Sequence, residues 1–181
     1  MKIVALLLFV SIAMAGDKAR FSRDGELIRP NNYREWVFLS SGLGMTYGPN
    51  APAPGTPLRF DNVFVNPSSY REFLRTGKWV DGTVLILEVR ESARKGSINQ
   101  HGQFQTAIAG IEAHVKDSKR FAGNWAFFNL STPSKTVKAM PPGNRCEECH
   151  TAHGALDTTF VQFYPELLSV ASKLDVLTKR D

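Results

Sequence analysis

The chemistry of this chain is concentrated in Cys146-Glu147-Glu148-Cys149-His150, near its C-terminal end. Two thiols separated by two residues and followed at once by an imidazole form the attachment signature of c-type haem. Each sulfur can add to one vinyl group of the porphyrin, and the short spacer suits the distance between them. His150 then sits beneath the iron, where a neutral ring nitrogen serves as axial ligand. One covalently attached haem c is therefore the expected cofactor, held by Cys146 and Cys149 with His150 on the metal. Three other chemistries use similar residues. A thioredoxin-like pair needs a βαβ surround, and no such pattern flanks the motif. A structural disulfide between the two thiols suits an oxidising compartment. A zinc site would recruit His153, but a Cys followed directly by a ligating His fits poorly around one tetrahedral ion.

The N-terminus points the same way. Lys2 supplies a positive start, Ile3 to Ala13 form an apolar run, and Ala13-Met14-Ala15 is a small-residue cleavage site. The run falls short of the roughly 20 residues a bilayer span needs. Residues 1–15 read as a signal peptide that is removed, and 16–181 as a single domain exported to the periplasm, with no membrane segment after cleavage. Both cysteines lie in the motif, so no disulfide framework remains for the rest of the chain. The 22 basic and 17 acidic residues are scattered, without the dense basic stripe of a nucleic-acid surface. A mildly basic exported protein can dock on an acidic redox partner protein.

The elements that must position the motif are mostly strands. Gly16 to Asn32 is polar and reads as a loosely held arm. Tyr33 to Ser41, Leu58 to Val65, Thr83 to Val89, Phe104 to Val115 and Trp125 to Leu130 read as strands from their apolar runs and alternation. Within Phe104 to Val115, Ile108, Glu112 and His114 fall on one side and Ile111 and Val115 on the other. Gly42 to Pro57, rich in Gly and Pro, is a loop long enough to cover a pocket. Asn66-Pro67 opens a helix that buries Tyr70, Phe73 and Leu74 and stops at Gly77. A last helix follows Pro165. The fold class is α+β: a twisted antiparallel sheet of about five strands with flanking helices around one c-type haem.

The motif lies late in the chain. Only 31 residues follow His150 and none is Met, while Met45 and Met140 lie upstream, so the usual electron carrier's downstream Met ligand is missing. The strands before the motif also set the chain apart from the four-helix haem proteins with late motifs. His153 is too near His150 to reach the opposite haem face, which leaves His101 and His114 as candidates for a sixth ligand. The expectation is a five-coordinate iron with one face open to small molecules.

The chain resembles the cytochrome P-460 family, which includes cytochrome c prime beta. The resemblance rests on Asn32-Tyr33-Arg34-Glu35-Trp36-Val37, Asn66-Pro67-Ser68-Ser69-Tyr70-Arg71, Thr76-Gly77, Asp81-Gly82-Thr83-Val84, Gly110-Ile111-Glu112-Ala113, Val115-Lys116-Asp117-Ser118, Gly123-Asn124-Trp125-Ala126-Phe127, the haem motif and Phe163-Tyr164-Pro165. It implies a homodimer whose iron binds nitric oxide or oxidises hydroxylamine. The hydroxylamine-oxidising members carry a Lys tied to the porphyrin, and the matching position here is Leu87. Lys78 and Lys95 flank that strand but do not match it. The departure favours a binder of nitric oxide or related small nitrogen species over a hydroxylamine oxidoreductase, with a plain electron-transfer cytochrome as a third reading. An apolar distal face would favour uncharged gases, because desolvation opposes charged ligands. Phe60 and Phe104 are candidate distal aromatics. Glu112 is a candidate proton relay, and Arg59 and Asp61 are candidates for orienting a bound ligand.

Overall fold

The computed structural model describes residues 16–47, 53 and 55–178; the expected signal peptide and part of the Gly42 to Pro57 loop lie outside them. Among these residues seven strands form two sheets. Strands β2 (Val37–Leu43), β3 (Arg59–Val65), β4 (Val84–Ala93), β5 (Phe104–Lys116) and β6 (Trp125–Asn129) make one antiparallel sheet in sequence order. Short strands β1 (Leu27–Ile28) and β7 (Thr136–Val137) pair separately. Helices are α1 (Pro67–Thr76), α2 (Arg145–His153) and α3 (Pro165–Lys173).

The register decides which side chains share a face. Val63 pairs with Leu87 and Leu87 with Glu112, while Val65, Leu85, His114 and Phe127 form a parallel row. Side chains alternate along strands, so both rows emerge from one face. The other face carries Phe64, Ile86, Ala113 and Phe128, covered by Leu27, Tyr33 and Trp36. Because β4 is covered on both faces, Val84-Leu85-Ile86-Leu87 is apolar throughout rather than alternating. A register shift at Val89/Arg90 sets Ile108 opposite Arg90, which turns it away from Glu112 and His114 instead of aligning it with them.

The N-terminal arm is packed, not loose. Leu27 is 1% exposed, Phe21 stacks edge-on against Phe121, and the Ser68 amide donates to Asp17 Oδ2 at 2.6 Å. Its strand partner lies more than a hundred residues away, which local patterning cannot reveal. Tyr33 also departs from expectation, sitting in a 3₁₀ turn (Tyr33–Glu35) before β2. That turn aims its hydroxyl inward at Glu88, which is 2% exposed and also holds Arg34, at 2.6 Å, and Arg90. A buried carboxylate is tolerable only with such partners. Burial and the hydrogen bond push the Tyr33 hydroxyl up to about 12.

Helix α1 ends at Gly77, whose φ of 67° is the left-handed turn that glycine accepts without penalty. Asn66 precedes it but does not cap it with its side chain. Its Oδ1 instead accepts from the Val84 amide at 2.8 Å, tying the helix start to β4. Phe73 is fully buried against Trp79, with ring centroids 4.3 Å apart, whereas Leu74 is 41% exposed. One helical step, about 100°, carries Leu74 off the buried stripe. Helix α3 starts at Pro165 and buries Leu167 and Ala171. Both helices cover one end of the Val65–Phe127 row, and the rest of that face is left for the site.

Candidate haem site

Helix α2 carries the Cys-x-x-Cys-His motif and is set by its own N-terminus. Asn144 Oδ1 accepts from the amides of Cys146 at 3.0 Å and Glu147 at 3.2 Å, and Glu147 Oε2 accepts from the Gly143 amide at 2.8 Å. This reciprocal cap fixes where the helix begins. Cys146 and Cys149 then lie one turn apart on one helix face, half-buried and unbridged. Burial pushes the Cys146 thiol up, with Glu112 adding to it.

His150 is oriented from behind. Its Nδ1 is 2.8 Å from the Thr158 carbonyl oxygen, so Nδ1 carries the proton and donates to it. Nε2 is then the bare nitrogen, and among the described residues it makes no hydrogen bond. A metal-binding imidazole is held in this way. Burial lowers its pKa below the ordinary histidine value, against the pull of the Thr158 bond, and so keeps the ring neutral. The Thr158 carbonyl is presented by a tight turn from Leu156 to Thr159 whose central residues, Asp157 and Thr158, have φ of 47° and 58°. Positive φ is unusual for a β-branched residue and marks a strained turn. Three contacts brace the turn: Asp157 pairs with Lys116, the Trp79 indole N–H donates to Thr159 Oγ1 at 2.9 Å, and Thr159 Oγ1 donates to the Leu156 carbonyl at 2.6 Å. Gly154 allows the close approach, since a Cβ there would lie 2.7 Å from both the His150 carbonyl oxygen and the Thr158 carbonyl carbon.

His150 faces a partly open cavity. Its walls come from the sheet face (Val63, Leu85, Leu87, Glu112), the far end of β2 and its loop (Ser40, Met45, Tyr47), and the chain after α2 (Phe160, Tyr164). The Phe160 and Phe127 rings lie 4.2 and 4.8 Å from the His150 ring. No Lys or Arg lines the cavity among the described residues.

Of the proposed site residues, Cys146, Cys149 and His150 come together on α2, and Leu87, Glu112 and Asp61 line the cavity. Phe60 does not line it: it pairs with Arg90 on the opposite sheet face. Phe104 packs over Gly96 at the β4–β5 hairpin end, and Arg59 is exposed and paired with Glu91 at 2.8 Å. His101 is exposed and lies outside the cavity wall. His114 lines the cavity, but its ring is 4.8 Å from the His150 ring, edge to face. That is too close for a macrocycle to lie between them, so His114 flanks His150 rather than opposing it. It is stacked on Phe127 at 4.0 Å, and its two nitrogens have no hydrogen-bond partner among the described residues. Burial, with the nearby His150 adding to it, holds it neutral, well below the usual range.

The cavity wall is mixed rather than apolar. Asp61 and Glu112 both reach it, and Tyr47 Oη donates to Asp61 Oδ2 at 3.2 Å. Burial pushes both carboxyls above their ordinary values, and the charge of Asp61 raises Glu112 further. Met45 and Tyr47 escaped sequence reasoning because they lie in an irregular loop. The Asn144 cap escaped it too, although an Asn followed three residues later by Glu is the signal that could have found it. Asp157 is a turn-prone residue, but the β-branched Thr158 at positive φ is not, so the turn went unread.

A pair of thiols one helical turn apart and a backed imidazole with its outer nitrogen bare, facing a cavity of apolar side chains with two carboxyls among them, together mark a haem-binding protein. The chain belongs to the cytochrome P460 family, whose model matches residues 30–161. No curated protein matches it.

Proposed function

We propose that the protein is an exported mono-haem cytochrome that holds haem c through Cys146 and Cys149. His150 Nε2 ligates the iron, and the other face is open to nitric oxide or a related small nitrogen species. The observation that carries this is the His150 ring, backed by Thr158 and bare at Nε2, with the cavity's other imidazole lying beside it rather than opposite. Bound haem would supply an iron that takes up the ligand and exchanges one electron. The protein's own part is to hold His150 neutral, exclude bulk water with Phe127 and Phe160, and offer neutral ligands the apolar surface of Val63, Leu85 and Leu87.

Hydroxylamine oxidation is the second reading. Asp61 and Glu112 favour it, since protons must leave that substrate and carboxyls with raised pKa can accept them. Leu87 counts against it, because it cannot form the cross-link of the hydroxylamine-oxidising relatives. The electron-carrier reading needs a second side chain on the iron, and Met45 is the thioether at the cavity wall. Exposed Phe38 and Leu43 on edge strand β2 support a homodimer. Signal cleavage at Ala15 and export to the periplasm fit attachment of haem after translocation.

The test is expression in a host that matures c-type haem. The expected product begins at Gly16, keeps its haem on a denaturing gel, and has a ferrous spectrum that changes under carbon monoxide and nitric oxide. A colourless protein, or a low-spin spectrum indifferent to both gases, refutes the proposal. Turnover of hydroxylamine with an electron acceptor would select the second reading.

A further inference from the structure

We propose that Asp61 and Glu112 form a proton-exchanging pair coupled to the haem, so that each electron gained by the iron is accompanied by uptake of a proton at the pair. The inference rests on the haem reading above and deepens it.

Asp61 on β3 and Glu112 on β5 project from the same sheet face, with β4 between them and Val63 and Leu87 in the row of Glu112. Both reach the cavity that His150 faces. No Lys or Arg lines the wall among the described residues. Burial raises the Asp61 carboxyl and outweighs the downward pull of the Tyr47 hydroxyl and of Arg59, which is paired with Glu91. The remaining titratable neighbours are Tyr47 and Tyr164, the two thiols, His114 and His150. Burial pushes both tyrosines far above neutrality, so they stay protonated. The thiols become thioethers on attachment, His114 is held neutral, and His150 is committed to the metal. That leaves the two carboxyls to exchange a proton.

Oxidised iron carries one more positive charge than reduced iron and favours the carboxylate form, while the burial that raises both groups favours the acid once that charge is removed. The step balances as oxidised iron, carboxylate, a proton and an electron giving reduced iron and carboxylic acid. The electron comes from a one-electron donor protein, or from an electrode in the test. The proton comes from solvent through the open side of the cavity. Such coupling suits a ligand whose N–H or O–H protons leave with its electrons.

The test uses the matured holoprotein and its midpoint potential, measured spectroelectrochemically from about pH 4 to pH 9, a range spanning ordinary and raised carboxyl titration. The potential should fall as pH rises, with a slope approaching about 59 mV per pH unit inside the window where the pair titrates. Asp61→Asn with Glu112→Gln should flatten the dependence and leave the potential above that of the wild type at the alkaline end, and each single variant should remove part of the slope. A flat wild-type potential overturns the inference, and so does a slope that survives in the double variant, which would place the proton on the haem propionates or a histidine. If the double variant does not mature, the two single variants decide in the same titration: a slope below that of the wild type supports the pair, and a wild-type slope in both overturns it. A colourless protein overturns the haem reading and this inference together, whereas a haem-bearing protein with a flat potential overturns this inference alone.

Discussion

Replacing Gly154 with Ala isolates the support behind His150. The backbone there, φ −65° and ψ 127°, suits any residue, so the substitution carries no conformational penalty. The cost is steric. The new Cβ would begin 2.7 Å from the His150 carbonyl oxygen and the Thr158 carbonyl carbon, both rigid backbone atoms. Carbon atoms pack best at about 3.5 Å or more, so the turn must retreat by about 0.8 Å. The His150–Thr158 bond then lengthens from 2.8 Å to about 3.6 Å, outside hydrogen-bonding range. The expected loss is about 1–3 kcal/mol of stability from overpacking, with about 10- to 100-fold weaker metal binding from losing the bond behind the ligand. Denaturant titration of the holoprotein reads the first. Resonance Raman of the ferrous iron–histidine stretch reads the second, as a shift to lower frequency. Gly123→Ala is the matched control, because its Cβ would meet only Glu147 Oε1 at 3.8 Å. A Gly154→Ala protein within about 0.5 kcal/mol of wild type and with an unshifted stretch would refute the argument.

Leu87→Lys places an amine in the cavity between Val63 and Glu112. A third covalent link to the porphyrin is expected, visible as a shifted Soret band and a cross-linked tryptic peptide. Recovery of the substituted peptide unmodified from the matured variant would count against the positional match. Phe73→Ala removes a fully buried ring and should cost about 3–5 kcal/mol by denaturant titration. Glu88→Gln removes the charge partner of Arg90, which keeps only its bond to the Thr106 carbonyl, and should cost about 1–3 kcal/mol near neutral pH. Burial alone would push the Glu88 carboxyl up, but the hydrogen bonds from Tyr33, Arg90 and Arg34 outweigh it and hold it below the ordinary glutamate value. Its stabilisation is therefore present above the unfolded-state pKa and lost as pH falls through the folded one. The gap between wild type and Glu88→Gln should narrow in acid, and a gap independent of pH would disprove the assignment.

The main sheet was legible because its strands alternate or run apolar over several residues, and the motif because its chemistry needs no fold to be recognised. What escaped was set by distant partners. Leu27 pairs with Val137, Tyr33 turns inward to Glu88, and the Asp157-Thr158 turn is held by Lys116 and Trp79 from elsewhere in the chain. A single residue on one strand also defeated pattern: Phe60 and Asp61 are neighbours, both were candidates, and alternation sends only Asp61 into the cavity. The register shift in β5 likewise redirected Ile108, which no local pattern announces.

Helix α2 has nine residues and buries none of them. So short a helix is marginal in water without tertiary anchorage, and much of what anchors it comes through His150, by its bond to Thr158 and its ring contacts with Phe127 and Phe160. On the haem reading proposed above, a porphyrin held by Cys146 and Cys149 would pack against this helix and add to what holds it. Before maturation the segment from Arg145 to His153 should be open to proteases and to the attachment machinery, and afterwards closed to both. Limited proteolysis of the haem-free and haem-bearing forms should show that switch as a cut that appears only in the first.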